Sequence, residues 1–465
     1  MLENIVDHIN TFFMYYIFIY ATIFFISTIY AISYLHEKKL KEEYRNNLKI
    51  SNKENDMPIS VLIPAYNEEA TVVDCIKSIL NLDYSEYEVI VINDGSKDST
   101  ENKIVEAFNL TRVFKPIRKL IKCNDAVSIY EGGEGINLTL INKKNGGKAD
   151  ALNMGVNAAK YPFVACLDAD SVLQKDALKN IVVPFMENDK TIAVVGNIKV
   201  SNQVVIKNGE IKKVKHPKKW IVVMQLIEYY RVFLTTRVWF NNFNGNIIIS
   251  GAFGLFKKQS IVNVGGYNRD SIGEDMELVV KLHSFYRKNN ISYTIQYAPD
   301  AICWSQVPER IKDLKSQRRR WHMGLMESIL EHKYIFLNPI YGIVGVFSFL
   351  YYIIYEFLFC IIEVLGIIFI FIAYSFGFIN LDFLITFMLV YMFYSVIVSI
   401  SSVALESYTS KGMITFKVFI KLIFFSFIEA IGYRQMCSWF RILGILGYKK
   451  RKKSWNKIQR RSYED

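Results

Sequence analysis

The stretch FVACLDAD (163–170) decides the fold. A run of five apolar residues ends abruptly in two carboxylates spaced i and i+2. Such a run is the right length for a strand buried on both faces, and the switch to Asp-Ala-Asp marks its end. Segments upstream repeat the design: ISVLIPAY (59–66), YEVIVIND (87–94) and INLTLINK (136–143). Between them, EEATVVDCIKSILNL (68–82), a segment from about Ser99, and GGKADALNMGVNAA (146–159) carry helical spacing. Short apolar strands alternating with helices predict a parallel α/β sheet from Pro58 onward, covered on both faces. The acidic motifs fall at the C-terminal ends of the strands, where open α/β sheets bind ligands.

Working outward, the sequence changes character. Half of the 465 residues are hydrophobic and 15% aromatic, with apolar runs concentrated at 11–34 and 335–447. Residues 11–34 are long enough to span a bilayer. They lack the basic start, short core and small-residue cleavage site of a secretory signal. The first ten residues hold no Lys or Arg and 36–49 hold five, which predicts an external N-terminus and a cytoplasmic segment after residue 36. Downstream, 340–376 is apolar but interrupted by Glu356 and Glu363, and 382–405 reads as a span. Residues 413–447 carry Lys417, Lys421, Glu429, Arg434 and Arg441 and read as an interfacial helix or a span. A tail with eight Lys/Arg predicts a cytoplasmic C-terminus, so the C-terminal spans are even in number, two or four.

The net charge of +12 gathers at the flanks of apolar segments, where it sets topology and meets anionic headgroups. No nucleic-acid motif accompanies it. The six cysteines and six histidines are scattered without CxxC or His-x-His spacing, which argues against a disulfide framework or a His/Cys metal site. Asn208-Gly209 between VVIK and EIKKVK predicts a hairpin, and 113–135 reads as an irregular insertion.

Several residues carry chemistry. Asp168 and Asp170, just past a strand end, suit a hard divalent cation, although Asp-x-Asp in isolation is as readily a turn pair. Gly146-Gly147-Lys148 opens a helix where backbone can approach phosphate and a lysine adds mobile charge. Glu274-Asp275 also opens a helix, where a carboxylate alone reads as a cap. Asp94 precedes Gly95 and alone reads as an Asx-turn, and Glu68 and Glu69 alone match a helix N-terminus. In Gln317-Arg-Arg-Arg-Trp321, on a basic amphipathic stretch at 306–333, an aromatic face and guanidinium groups can combine a sugar platform with a phosphate clamp. Read as a membrane-surface helix, the same stretch would let Arg318 and Arg319 snorkel toward headgroups.

The order IPAYNEE (63–69), VINDGS (91–96), NGGKADALN (145–153), CLDAD (166–170), IGEDMEL (272–278) and QRRRW (317–321) resembles glycosyltransferase family 2 over about residues 58–330. The QxxRW element resembles the processive membrane branch that makes cellulose, chitin, hyaluronan and poly-N-acetylglucosamine. The resemblance implies a GT-A-type, Rossmann-like α/β catalytic domain inserted between transmembrane helices of an integral membrane protein. The expected division is an N-terminal transmembrane helix (1–36), a cytoplasmic linker (37–57), the catalytic domain (58–305), amphipathic interface helices with QxxRW (306–335), C-terminal transmembrane and interfacial helices (336–447) and a basic cytoplasmic tail (448–465).

The resemblance also implies roles. Pro64, Tyr66, Glu68, Asp94, Lys148, Asp150 and Asp168 would bind a UDP-sugar donor: Tyr66 on uracil, Asp94 and Asp150 on the nucleoside, Lys148 on the pyrophosphate. Asp170, with Asp168, would hold Mg²⁺ or Mn²⁺. Asp275, beside Glu274, would be the catalytic base. Gln317, Arg320 and Trp321 would hold the acceptor sugar and diphosphate. Two positions depart from the family: Asn93-Asp94 stands where Asp-Asp is common, and Gly273 where many synthases have Thr. ICWSQVPE (302–309) is similar to the poly-N-acetylglucosamine enzymes and points to UDP-N-acetylglucosamine over UDP-glucose. The implied protein is a plasma-membrane, multi-pass enzyme with its catalytic domain in the cytoplasm. It would extend a polysaccharide acceptor and export it, with membrane lipids and a small membrane partner as neighbours. The competing readings are a non-processive transferase acting on a lipid acceptor and a non-enzymatic scaffold with a decayed site.

Overall fold

The computed structural model describes residues 2–47, 57–207, 209–378, 381–410 and 414–448. Its strands are β1 (Ile59–Ala65), β2 (Tyr87–Asn93), β3 (Thr111–Val113), β4 (Ala126–Glu131), β5 (Leu138–Lys143), β6 (Phe163–Leu167), β7 (Ser171–Leu173), β8 (Thr191–Val200), β9 (Val204–Lys207), β10 (Glu210–Val214), β11 (Phe253–Lys257) and β12 (Thr294–Ser305). Ten of them form one sheet in the order β3-β4-β5-β2-β1-β6-β11-β8-β12-β7. The four strands read from sequence, β5-β2-β1-β6, are parallel neighbours at its centre. They are buried because helices cover both faces, so Val, Ile and Leu occupy both sides of each pleat. Helix Lys148–Ala158 lies so close to the sheet that a Cβ on Gly155 would stand 2.9 Å from both Leu62 and Ile92. Glycine is the residue that permits this approach.

β11 runs antiparallel between β6 and β8 and pairs Phe253 with Leu167. The turn that begins it, SGAFG (250–254), is thereby placed beside Asp168 at the end of β6. The insertion at 113–135 is more regular than expected: β3 and β4 extend the sheet edge as antiparallel strands. The predicted hairpin forms as β9–β10, with Lys207 opposite Glu210; Asn208 itself lies outside the described residues. Its inner face is not free surface, since Val204 and Ile206 pack on Val172 and Trp304.

The first helix runs from Leu2 to Asn47, so the expected linker is helical through its first part. Residues 48–56 lie outside the described residues, as does the basic tail from 449. Ala31 and Leu35 are buried in the catalytic core, and Lys38 reaches Asp300 at 3.1 Å. Among the described residues, two helical stretches are long and apolar enough to cross a membrane, Val6–Lys41 and Leu384–Thr409. A third crossing is available if Val344–Phe357 and Phe359–Ser375, bent by 42°, act together. Residues 414–447, expected to form an interfacial helix or a span, are helical in two pieces. Helices Phe416–Ile428 and Arg434–Leu446 have 13 residues each and are separated by non-helical Ile431 and Gly432. Thirteen residues rise about 20 Å, short of a core about 30 Å thick.

Candidate active site

At the C-terminal edge of the sheet, helix Lys148–Ala158 and helix Glu274–Lys288 point their first turns at the end of β6. Lys148 Nζ lies 2.6 Å from an oxygen of Asp168 and 3.2 Å from one of Glu274. Burial disfavours its charge, but Asp168, Glu274 and Asp275 outweigh that and hold the ammonium above its ordinary range. Glu274 is raised as well, by burial, while Lys148 opposes the rise. Asp275 accepts the Gly251 N–H at 2.9 Å through one oxygen, and its other oxygen accepts the Met276 N–H at 2.9 Å. A Cβ on Gly251 would stand 2.7 Å from Lys148 Nζ. The turn before β11 therefore needs glycine to let lysine and carboxylate meet.

These groups line a cavity of about 330 Å³. Lys148, Asp168, Glu274 and Asp275 form one wall, and Gln317, Arg320 and Trp321 form another. Both families of expected residues, the diphosphate side and the acceptor side, thus open on one space. Trp321 is 42% exposed, which suits a platform better than a core residue. Gln317 is buried, and its Oε1 has no hydrogen-bond partner. The cavity continues toward the apolar helices past Arg237, Tyr352, Glu356 and Arg441.

Arg318 corrects the sequence reading. It does not snorkel: it is 2% exposed and forks onto Glu228 with bonds of 2.9 and 2.7 Å. Burial disfavours its charge, but Glu228 more than restores it, and the guanidinium lies 4.6 Å from the Trp321 ring centre. Arg319 is half-buried, its backbone carbonyl 3.0 Å from where a Cβ on Gly444 would stand. Helix Ile311–Glu331 therefore lies between the catalytic helices and Arg434–Leu446, not bare on a membrane surface.

The residues expected to bind the nucleoside sit behind this cavity at the ends of β1, β2 and β5. Asp94 accepts the Gly146 and Gly147 N–H groups at 3.0 and 2.8 Å and pairs with Lys143. Burial pushes its carboxyl up against these partners. Lys143 also lies 2.7 Å from Asp150, which takes Arg269 at 2.6 Å and the Asn124 N–H at 3.1 Å. The glycine amides thus point at Asp94, and Asp150 braces the turn from inside. Pro64 lies at the end of β1, and Tyr66 and Glu68 follow it; Tyr66 is exposed, and Glu68 accepts the Thr71 hydroxyl at 3.2 Å. None of these lines the 330 Å³ cavity. Asp170 is buried beside Ser171 and does not line it either.

Three carboxylates, Asp168, Glu274 and Asp275, surround Lys148 at this strand end, and Asp170 is buried two residues beyond Asp168. All their donors are hard oxygens, and their charge exceeds that of Lys148, so the residues fit a divalent cation. The scattered histidines hid a separate cluster: Glu277, Glu331 and His332 bring ligand-type atoms within 4.8 Å of one another. Lys143, Glu228 and Arg269 were missed by the sequence reading, because a lysine ending a strand or a lone acid on a helix carries no spacing signal.

Fold and site together define a membrane-associated transferase of nucleotide-activated sugars. The family model described as Glycosyl transferase family group 2 matches residues 163–399, and that described as Glycosyl transferase family 2 matches residues 60–264. The chain is 34% identical over 325 residues to a poly-beta-1,6-N-acetyl-D-glucosamine synthase of Staphylococcus epidermidis, covering 70% of this chain and 67% of that one. It is 34% identical over 272 residues to the enzyme of the same name from Staphylococcus aureus strain COL, covering 58% and 55%. A mannosyltransferase of Pyrobaculum calidifontis, solved with GDP-Man and Mn²⁺, matches in fold with a TM-score of 0.50 at 16% identity, over 92% of this chain and 99% of that one. The chain belongs to glycosyltransferase family 2, in its membrane β-glycan synthase branch, and is a UDP-sugar-dependent glycosyltransferase.

Proposed function

We propose that this enzyme polymerises a β-linked polysaccharide from UDP-N-acetylglucosamine, adding many sugars before release and passing the chain outward. The observation that carries this reading is the continuity of one cavity from Lys148, Asp168 and Asp275, past Trp321, to Tyr352, Glu356 and Arg441 among the apolar helices. A product seated on Trp321 has a path toward the membrane from the place where it is made. The donor sugar follows the names of the curated relatives.

In this reading the acceptor sugar stacks on Trp321, and Asp275 takes the proton of the attacking hydroxyl. The acceptor oxygen bonds to the anomeric carbon as the bond to the diphosphate breaks on the opposite face, which inverts the centre. Lys148 and Arg320 stand where negative charge develops on departing UDP. A Mg²⁺ or Mn²⁺ ion held by Asp168 and Asp170 would add positive charge to the diphosphate. Arg318 acts at one remove, holding the Trp321 ring from behind.

The test supplies membranes containing the full chain with radiolabelled UDP-N-acetylglucosamine or UDP-glucose, with and without EDTA. The expected result is a chelator-sensitive, high-molecular-weight product from the former only. One labelled sugar appearing in the lipid extract would replace polymerisation with transfer to a lipid. No release of UDP from either donor would remove the enzymatic reading.

A further inference from the structure

Arg231, Glu429 and Arg434 meet where helix Trp220–Arg231 ends and the break Glu429–Tyr433 begins. Glu429 is wholly buried and accepts two bonds from Arg231, both 3.1 Å, and two from Arg434, 2.9 and 3.0 Å. Burial alone would push this carboxyl up, but the two arginines hold it at about 2. One carboxylate thus faces two guanidinium groups.

Both arginines also line a fissure of about 370 Å³ between the N-terminal helix and helix Leu381–Thr409. Its other walls are apolar, with Met14, Ile17 and Phe25 facing Val390 and Val398. The two helices run parallel, because Tyr394 bonds the Ala21 carbonyl and Tyr408 bonds His36 at 2.7 Å. Ser395 and Ser399, which hydrogen-bond Arg434 and Arg231, therefore stand level with residues just after Ala21. The arginine end of the fissure is the end nearer the catalytic domain, into which Ala31 and Leu35 are packed. From Met14 to Phe25 the helix rises about 16 Å, roughly one leaflet of a 30 Å hydrocarbon core.

We propose that this fissure holds one membrane phospholipid with an anionic headgroup, its phosphate on Arg231 and Arg434 and an acyl chain along Met14–Phe25. The shape supplies one leaflet's depth of apolar wall, and the charge supplies the selection. The bound lipid fills the gap between two spanning helices and ties them to the helix leading into the active-site cavity. This site is separate from the sugar-transfer cavity, and its test does not depend on polymerisation.

Full-length protein purified in detergent is incubated with equal amounts of phosphatidylglycerol and phosphatidylcholine, and retained lipid is counted by native mass spectrometry. The wild type is expected to keep one lipid, with phosphatidylglycerol favoured about fivefold, the effect of one net charge near a membrane surface. Ala21→Trp, or Val390→Trp on the facing helix, fills the fissure and should abolish retention while the protein elutes as one species. Arg231→Gln leaves Glu429 with a single partner and should erase the headgroup preference while retaining a lipid. Equal retention of both lipids by the wild type, no retained lipid, or an unchanged preference in both Trp variants would overturn the proposal.

Discussion

Lys143 is wholly buried between Asp94 and Asp150, so no water can replace it if it is removed. Lys143→Met should leave two buried carboxylates short of a partner and cost roughly 3–5 kcal/mol, the usual penalty for breaking a buried ion pair. Thermal melting of the detergent-solubilised chain checks this, and an unchanged melting temperature would show that Arg269 and the glycine amides suffice. The active-site carboxylate behaves differently because it lies on an open cavity. Asp275→Asn should keep UDP binding and lose transfer by about a hundredfold or more, since only the chemical step needs a base. Trp321→Ala should keep UDP binding and some UDP-sugar hydrolysis while chain elongation collapses. Product sizing beside a UDP-release assay separates these outcomes, and normal-length polymer from Trp321→Ala would remove the platform role. That Asp168, Lys148 and Asp275 meet on one cavity was legible in sequence because each stands at a strand end or helix start inside a recognisable motif, and Trp321 joins them through the QRRRW motif within its helix. Lys143 and Arg318 were not, because their meaning lies in partners that the chain brings from 49 and 90 residues away.

Helix Glu274–Lys288 carries the proposed catalytic pair, Glu274 and Asp275, at its first turn and is fastened further along by His283. That imidazole is fully buried, with Nδ1 2.6 Å from the Tyr293 hydroxyl and Nε2 2.9 Å from the Asn246 carbonyl. Burial lowers its pKa from 6.5 to about 4, and Arg287 adds to the effect. The unfolded chain therefore binds this proton below about pH 6.5 while the folded chain refuses it until about pH 4. Stability should fall as pH drops through that window, by roughly 3 kcal/mol from this group alone. Melting temperature measured between pH 7 and 4 tests the sign, and His283→Gln should flatten the slope across that range. At this scale the sequence was read best where strands are short and apolar. It was read worst at 113–135, where β3 and β4 are edge strands of mixed polarity whose pairing comes from β5 and not from their own pattern. The QRRRW helix was misjudged for a related reason. Its arginines look amphipathic in one dimension, but Glu228 and helix Arg434–Leu446 bury that face.

The whole molecule is oriented by a relation that no single segment contains. The N-terminal helix and helix Leu381–Thr409 run parallel, so the chain must cross back an odd number of times between them if both span. The bent pair Val344–Phe357 and Phe359–Ser375 supplies one such crossing. With Lys38 paired to Asp300, the C-terminal end of the first helix lies on the same side as the catalytic sheet. The five basic residues at 36–49 predict that this side faces the cytoplasm. Three crossings, with an external N-terminus, satisfy all of these constraints; two more spans after residue 381 would need helices longer than Phe416–Ile428 and Arg434–Leu446. Single-cysteine labelling can decide this because all six native cysteines are buried and should stay silent. Asn4→Cys should react with a membrane-impermeant maleimide on intact cells. Lys97→Cys on the catalytic domain and Tyr374→Cys near the far end of the bent pair form the contrast: the first should label only after permeabilisation, the second without it. Labelling of Lys97→Cys on intact cells would invert the topology, and a silent Tyr374→Cys that labels only after permeabilisation would make the bent pair a re-entrant loop and leave the parallel helices without the crossing that connects them.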